Sequence, residues 1–208
     1  MNIFIDETGK KVKLKNMRVS QVKQMTQWGS HKDRLFADYD FPKFENDEII
    51  QWFKVKSTGN RAIVAITDFY GEVVGYISLR KIRTFFKTAE FGVVLNPDKI
   101  ENGYGTDALN TLAKWFFNKL KYKKLYLTVA KYNDRAYRIY KKMGFEALKF
   151  TEESFDNYEI NPLSDDKYKS ISKYFTVKRG GIFVSCIKMQ LTREKFEESK
   201  YLKKLYIN

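Results

Sequence analysis

"KIENGYGTDALNTLAKWFF" (residues 99–117) joins a short polar run, with glycines at 103 and 105, to a long segment of helical periodicity. Ala108, Leu109, Leu112, Ala113, Phe116, Phe117 and Leu120 share one broad apolar stripe, which predicts a helix over 105–121. The glycines therefore stand at a helix entrance. Such an entrance has N–H groups without internal acceptors and a partial positive charge. Glycine also lets a phosphate approach the backbone closely. The plain alternative is that Gly103 and Gly105 only shape a loop.

Residues 103–108 fit G-x-G-x-x-A, the pattern of a dinucleotide-binding turn. Three features oppose that fold. The glycines lie well beyond the strand end at Leu95, no acidic residue follows the next strand at Val129, and repeated βαβ units are absent. A P-loop fails because no Gly-Lys-Ser/Thr follows.

Outward from this stretch the chain reads as a mixed α/β domain. Residues 11–15 alternate as a strand, and Ser20 can cap a helix carrying Val22, Met25 and Trp28. Residues 29–44 form an aromatic-rich loop. Asn46 or Asp47 opens a helix that points Ile49, Ile50, Trp52 and Phe53 inward. Strands follow at 61–67, 72–82 and 88–96, then the long helix, then a strand at 125–129. A second helix runs from Asp134 to Met143, closed by Gly144, and strands follow at 145–151 and 182–191. Residues 152–181 form a polar excursion, and a charged helix spans about 192–205. No repeat or composition shift marks a boundary, so one domain over 1–208 is expected, its sheet antiparallel in the first half, with helices on both faces.

Composition narrows the classes. Hydrophobic residues make up 43% and charged residues 31% of the 208, an ordinary globular balance. No apolar run reaches membrane-spanning length, and residues 1–11 lack a signal-peptide pattern, so cytoplasmic location and no membrane partner are expected. Cys186 and His31 stand alone of their kinds. An internal disulfide is impossible and no metal is expected. The net charge of +14 permits an anionic ligand. The lysines are spread, with 119–124 the densest patch, so a nucleic-acid module is the rival reading and nucleic acid is not the expected partner.

A second segment, "NDRAYRIYKKMGF" (133–145), follows a strand and forms a helix. Together "GYGTDAL", "LYLTV" and "NDRAYRIYKKMGF" resemble the GCN5-related N-acetyltransferase (GNAT) superfamily, in particular its branch related to ribosomal-protein N-terminal acetyltransferases of the RimJ/RimL type. The likeness runs in element order from about Val12 to Arg193 and is sharpest from Glu90 to Phe145. It implies a mixed, mostly antiparallel sheet with a splayed central strand pair. It implies an N-acetyltransferase that uses acetyl-CoA as co-substrate and acts by direct attack of a primary amine in a ternary complex. A non-catalytic acyl-CoA-binding regulator is the other alternative, and a homodimer is compatible.

Residue by residue, the resemblance implies that strand 89–95, through Val93, Val94 and Leu95, binds the pantetheine arm. Glu101, Asn102, Gly103, Tyr104, Gly105 and Thr106 would hold the pyrophosphate, although the family often has Gln or Arg where this chain has Ile100. Asn133, Ala136 and Tyr137 would contact the cofactor from the second helix, although Asn133 is also an ordinary N-cap. Tyr140 would stand by the sulfur as general acid. A phenol, with an ordinary pKa of about 10, suits protonation of a departing thiolate. Glu90 would serve as base. The acceptor would lie against residues 28–44 and 152–181, where Trp28, Tyr39, Phe41 and Trp52 are available. The basic balance argues for a protein N-terminus or a small amine over a polycation.

Overall fold

The computed structural model describes residues 3–199, and the chain divides into two compact units. The first holds residues up to 30 together with 39–125; the second holds 31–38 and 126 onward. In the first, β1 (Asp6–Thr8), β2 (Lys13–Asn16), β3 (Ala62–Thr67), β4 (Val73–Arg83) and β5 (Thr88–Leu95) adjoin in that order, every neighbouring pair antiparallel. β3 has no alternation because both its faces are covered: Ala62, Ile63, Val64, Ala65 and Ile66 are all buried.

Helix α1 (Val19–Met25) starts one residue before Ser20, with Arg18 at the cap position. Arg18 N–H is satisfied by the Gln21 side chain at 2.9 Å, so the hydroxyl is not needed. Helix α2 (Asn46–Ser57) opens in the same way, Glu45 N–H donating to Glu48 at 2.8 Å. Ile49 is buried and Trp52 and Phe53 pack on the core, but Ile50 is exposed, one position off the inward stripe. Val22, Met25, Trp28 and Phe41 share this core with Ile63, Ala65 and Val73. Helix α3 (Tyr104–Lys114) buries Ala108 to Ala113 and continues into a π-helical turn, Trp115–Lys119, that buries three successive aromatic residues, Trp115, Phe116 and Phe117.

In the second unit, β6 (Lys124–Ala130), whose residues from Tyr126 onward belong here, lies beside β9 (Gly181–Thr192). β7 (Glu146–Ser154) and β8 (Phe175–Lys178) both pair antiparallel with β9. Helix α4 (Asp134–Lys142) is closed by Gly144, whose φ of +93° only glycine adopts readily and whose added Cβ would lie 3.0 Å from the Lys195 carbonyl. Helix α5 (Arg193–Glu198) follows; the expected extension to 205 lies outside the described residues. The polar excursion is more ordered than its composition suggests. Phe155, Tyr168 and Phe175 bury themselves with Leu35, Ala130, Val184 and Cys186, and β8 forms inside it.

Candidate active site

The entrance to α3 is built from the first unit alone. β5 ends at Leu95, and Asn96 N–H still bonds the Val74 carbonyl at 2.9 Å. Buried Asn96 then accepts from Asp98 N–H at 3.0 Å and starts a 3-10 turn, Pro97–Lys99. Two residues before the helix are left-handed, Glu101 at φ +71° and Gly103 at φ +82°. Gly103 is the cap of α3, and its carbonyl receives Asp107 N–H at 3.1 Å. The N–H groups of Tyr104, Gly105 and Thr106 lie in the first turn, where a helix has no internal acceptor for them. Gly105 has a packing reason as well: a Cβ there would sit 2.9 Å from Leu95 Cδ1.

A part of this entrance was not read from the sequence. The Asp107 carboxylate accepts the N–H groups of Lys10 at 3.1 Å, Lys11 at 2.7 Å and Val12 at 3.1 Å. Lys11 Nζ donates to the Asn102 carbonyl at 2.9 Å. The β1–β2 hairpin is therefore clamped to the first turn of α3, and an ammonium group is held on the glycine loop. The only signal was an acid in the first turn of a helix, which the macrodipole favours anyway.

On β5, Glu90 is only 4% exposed and lies opposite Arg80 in the β4–β5 register. Its carboxylate receives Arg80 Nε at 2.9 Å and Nη2 at 2.5 Å, and Lys81 Nζ at 3.1 Å. Lys81, at φ +51°, falls in the register irregularity between Arg80 and Arg83, which brings both cations to one carboxylate. Burial raises the proton affinity of Glu90, but the bonds and charges of Lys81 and Arg80 outweigh it and hold the carboxyl below its ordinary range. A carboxylate held this way is a good counter-ion and a weak base. Val94 and Val93 face Tyr76 and Ile77 in register. Burial pushes the Tyr76 phenol up to about 12.

In the second unit, Asn133 caps α4: its side chain accepts Ala136 N–H at 3.1 Å, and its own N–H bonds the Ala130 carbonyl at 2.9 Å. The cap occupies Oδ1. Tyr140 is one turn beyond Ala136 on the same face and is 8% exposed. Its ring meets Phe145 edge-on at 5.7 Å, and its carbonyl receives Phe145 N–H at 3.0 Å. The motif thus sets Tyr140 by a backbone bond as well as by packing.

Of the aromatic residues expected near an acceptor, Trp28, Phe41 and Trp52 serve as core, while Tyr39 is half-buried. Trp28 and Phe41 are each 4% exposed, Phe41 meets Trp52 edge-on at 5.1 Å, and Trp28 Nε1 bonds the Val73 carbonyl at 3.1 Å. A polar cluster in the second unit was missed. Asp33 accepts from Lys167 Nζ at 3.0 Å and the Tyr168 hydroxyl at 2.9 Å, and Arg34 forks onto Glu159. Burial, then the charges of Asp156 and Glu159, push the Asp38 carboxyl above its ordinary range. No pattern within 31–38 or 152–181 reveals this, because the acids converge from distant segments.

Comparison with known proteins agrees with the fold and the motifs. The family model described as Acetyltransferase (GNAT) domain matches residues 11–146. A spermidine N(1)-acetyltransferase of Escherichia coli K12 is 36% identical over 80 residues, which is 38% of this chain and 43% of that protein. One from Vibrio cholerae is 29% identical over 93 residues, 44% of this chain and 54% of that protein. The matched segment thus spans about half the length of these relatives. Among solved structures, spermidine N-acetyltransferase from Vibrio cholerae with CoA and spermine superimposes with a TM-score of 0.67. It is 16% identical and covers 89% of this chain and 98% of that one.

Proposed function

Because the chain belongs to the GNAT acetyltransferase family, we propose that it moves an acetyl group from acetyl-CoA to the nitrogen of a primary amine. The helix entrance carries this reading: a left-handed Gly103, a Gly105 whose added Cβ would crowd a Leu95 methyl, and first-turn N–H groups facing outward from α3. These donors suit a diphosphate, which needs many N–H groups and no base-reading side chains. Lys11 adds a cation beside them. Acetyl-CoA supplies the acyl group already activated as a thioester.

Apart from Glu90, the residues named on sequence grounds keep those roles as proposals. The backbone of 93–95 takes the pantetheine arm, residues 101–106 the pyrophosphate, and Asn133, Ala136 and Tyr137 the arm from α4. The neutral amine attacks the thioester carbonyl, the C–S bond breaks, and Tyr140 gives its phenolic proton to the departing thiolate. The phenolate is restored from water. The amine's surplus proton leaves through water rather than to Glu90, whose carboxylate is committed to Arg80 and Lys81.

For the acceptor, the neighbouring acids Asp38 and Asp156 support a cationic amine of the polyamine class, although Glu159 beside them is paired with Arg34 and the overall charge of +14 opposes it. The curated relatives are named for spermidine, which supports the same choice. An acceptor panel tests it: spermidine, spermine, a mono-amine and a peptide N-terminus, each assayed for thiol release. Turnover with the polyamines above the others is expected. Turnover with the peptide alone would move the reading to protein N-termini.

A further inference from the structure

The β4–β5 turn belongs to none of this machinery. Lys87 N–H bonds the Thr84 carbonyl at 3.2 Å, which puts Phe85 and Phe86 at the centre of a tight turn. Phe85 is 91% and Phe86 61% exposed, and their rings touch edge-to-face at 5.2 Å. Arg83 and Lys87 flank the pair. The Lys87 carbonyl receives Lys123 N–H at 2.7 Å and Lys124 N–H at 3.3 Å, which brings Lys121, Lys123 and Lys124 alongside. Arg83, Lys87, Lys121, Lys123 and Lys124 are all exposed, and none has an ion-pair partner among the described residues.

Two large apolar rings held in water, backed by cations that have no ion-pair partner among the described residues, mark a contact surface. We propose that this tip is a peripheral anchor for an anionic bilayer. Phe85 and Phe86 enter the boundary between headgroups and acyl chains, and the cations behind them meet the lipid phosphates and carboxylates. Charge complementarity selects the occupant. A nucleic acid is less well served, because the apex lacks groups that read base edges, and the cations back one point instead of lining a groove. A tip of this kind lies on a membrane without spanning it, and no helix among the described residues is long and apolar enough to cross one. The expectation of no membrane partner rests on spanning length, which a tip of this kind does not need.

The test is sedimentation of the full chain with vesicles of phosphatidylcholine alone or with about 30% phosphatidylserine, at low and physiological salt. Binding to the anionic vesicles only, weakened by salt, is expected. Phe85→Ser with Phe86→Ser leaves every cation in place and should weaken that binding by about tenfold or more. Phe85→Trp in an otherwise native chain should add an emission, read as the difference from the native chain, that shifts to the blue on anionic vesicles and becomes shielded from a water-soluble quencher. No binding to either vesicle overturns the proposal. So does binding that ignores the loss of both rings, which would be charge adhesion alone. Phenylalanine-dependent binding to single-stranded RNA with vesicles ignored also overturns it. Should the double variant fail to fold, an unshifted difference emission from the Phe85→Trp chain is decisive against the anchor.

Discussion

Tyr140 and Glu90 illustrate how surroundings decide what work a titratable side chain can do. Tyr140 sits on α4, fixed by its ring and backbone contacts with Phe145. Tyr140→Phe should lower kcat by about a hundredfold or more, the usual worth of a placed general acid, while the KM for acetyl-CoA stays close to that of the native chain. Steady-state kinetics checks the split; an unchanged kcat removes the acid role. Glu90 is surrounded by cations, so its loss should register in the fold. Glu90→Gln should cost about 2 kcal/mol in denaturant unfolding at neutral pH, while kcat per folded molecule stays within about twofold. A collapse of kcat with native stability would restore Glu90 as base.

At the scale of elements, the decisive one is the front of α3, and Asp107 is its brace. Asp107→Ala removes three hydrogen bonds from the β1–β2 hairpin. It should raise the KM for acetyl-CoA by about tenfold with a smaller change in kcat, since the loop loses its set position before the chemistry does. Asp107→Asn, which keeps one acceptor oxygen, should recover part of the loss. Most elements were legible because the signals are local: α3 declares an apolar stripe, and Gly144 marks the end of α4. β1 was missed because three polar residues, Asp6–Thr8, show no alternation. β8 was missed because its only buried residue is Phe175. The 3-10 turn at Arg34–Tyr39 is held by Leu35 packing on Phe155 and Tyr168, more than a hundred positions away, which no window in the sequence contains. The site was legible to the same extent. Gly103 and Asn133 announce themselves by backbone demands, whereas the partners of Glu90 and Asp107 come from β4 and from the β1–β2 turn and appear only in three dimensions.

At the scale of the whole molecule, the acidic groups set the pH response. Asp33 and Glu90 both have pKa values below their ordinary 3.8 and 4.5. For each, burial raises the value, but hydrogen bonds and cations lower it further, Lys167 first at Asp33 and Lys81 first at Glu90. The unfolded chain therefore binds more protons in acid. Their stabilisation is complete above about pH 4.5 and drains away as pH falls through the folded values. Asp38 has the opposite sign: its ionised form costs the fold, and that cost is relieved as pH falls below its raised value. Asp38 is exposed, so solvent screens most of this cost; Asp38→Asn should stabilise the protein only slightly at neutral pH, and it should raise the KM for spermidine. Thermal melts from pH 3 to 8 and acceptor kinetics read the two effects separately. The acetyl transfer proposed for this chain depends on the helix entrance at residues 101–106 holding a diphosphate, and calorimetry with acetyl-CoA tests that most directly. The native chain should bind one molecule saturably. Gly103→Ala, strained by the left-handed φ of +82°, should bind at least about tenfold more weakly. No heat at millimolar acetyl-CoA, or equal affinity in a folded Gly103→Ala chain, would contradict it.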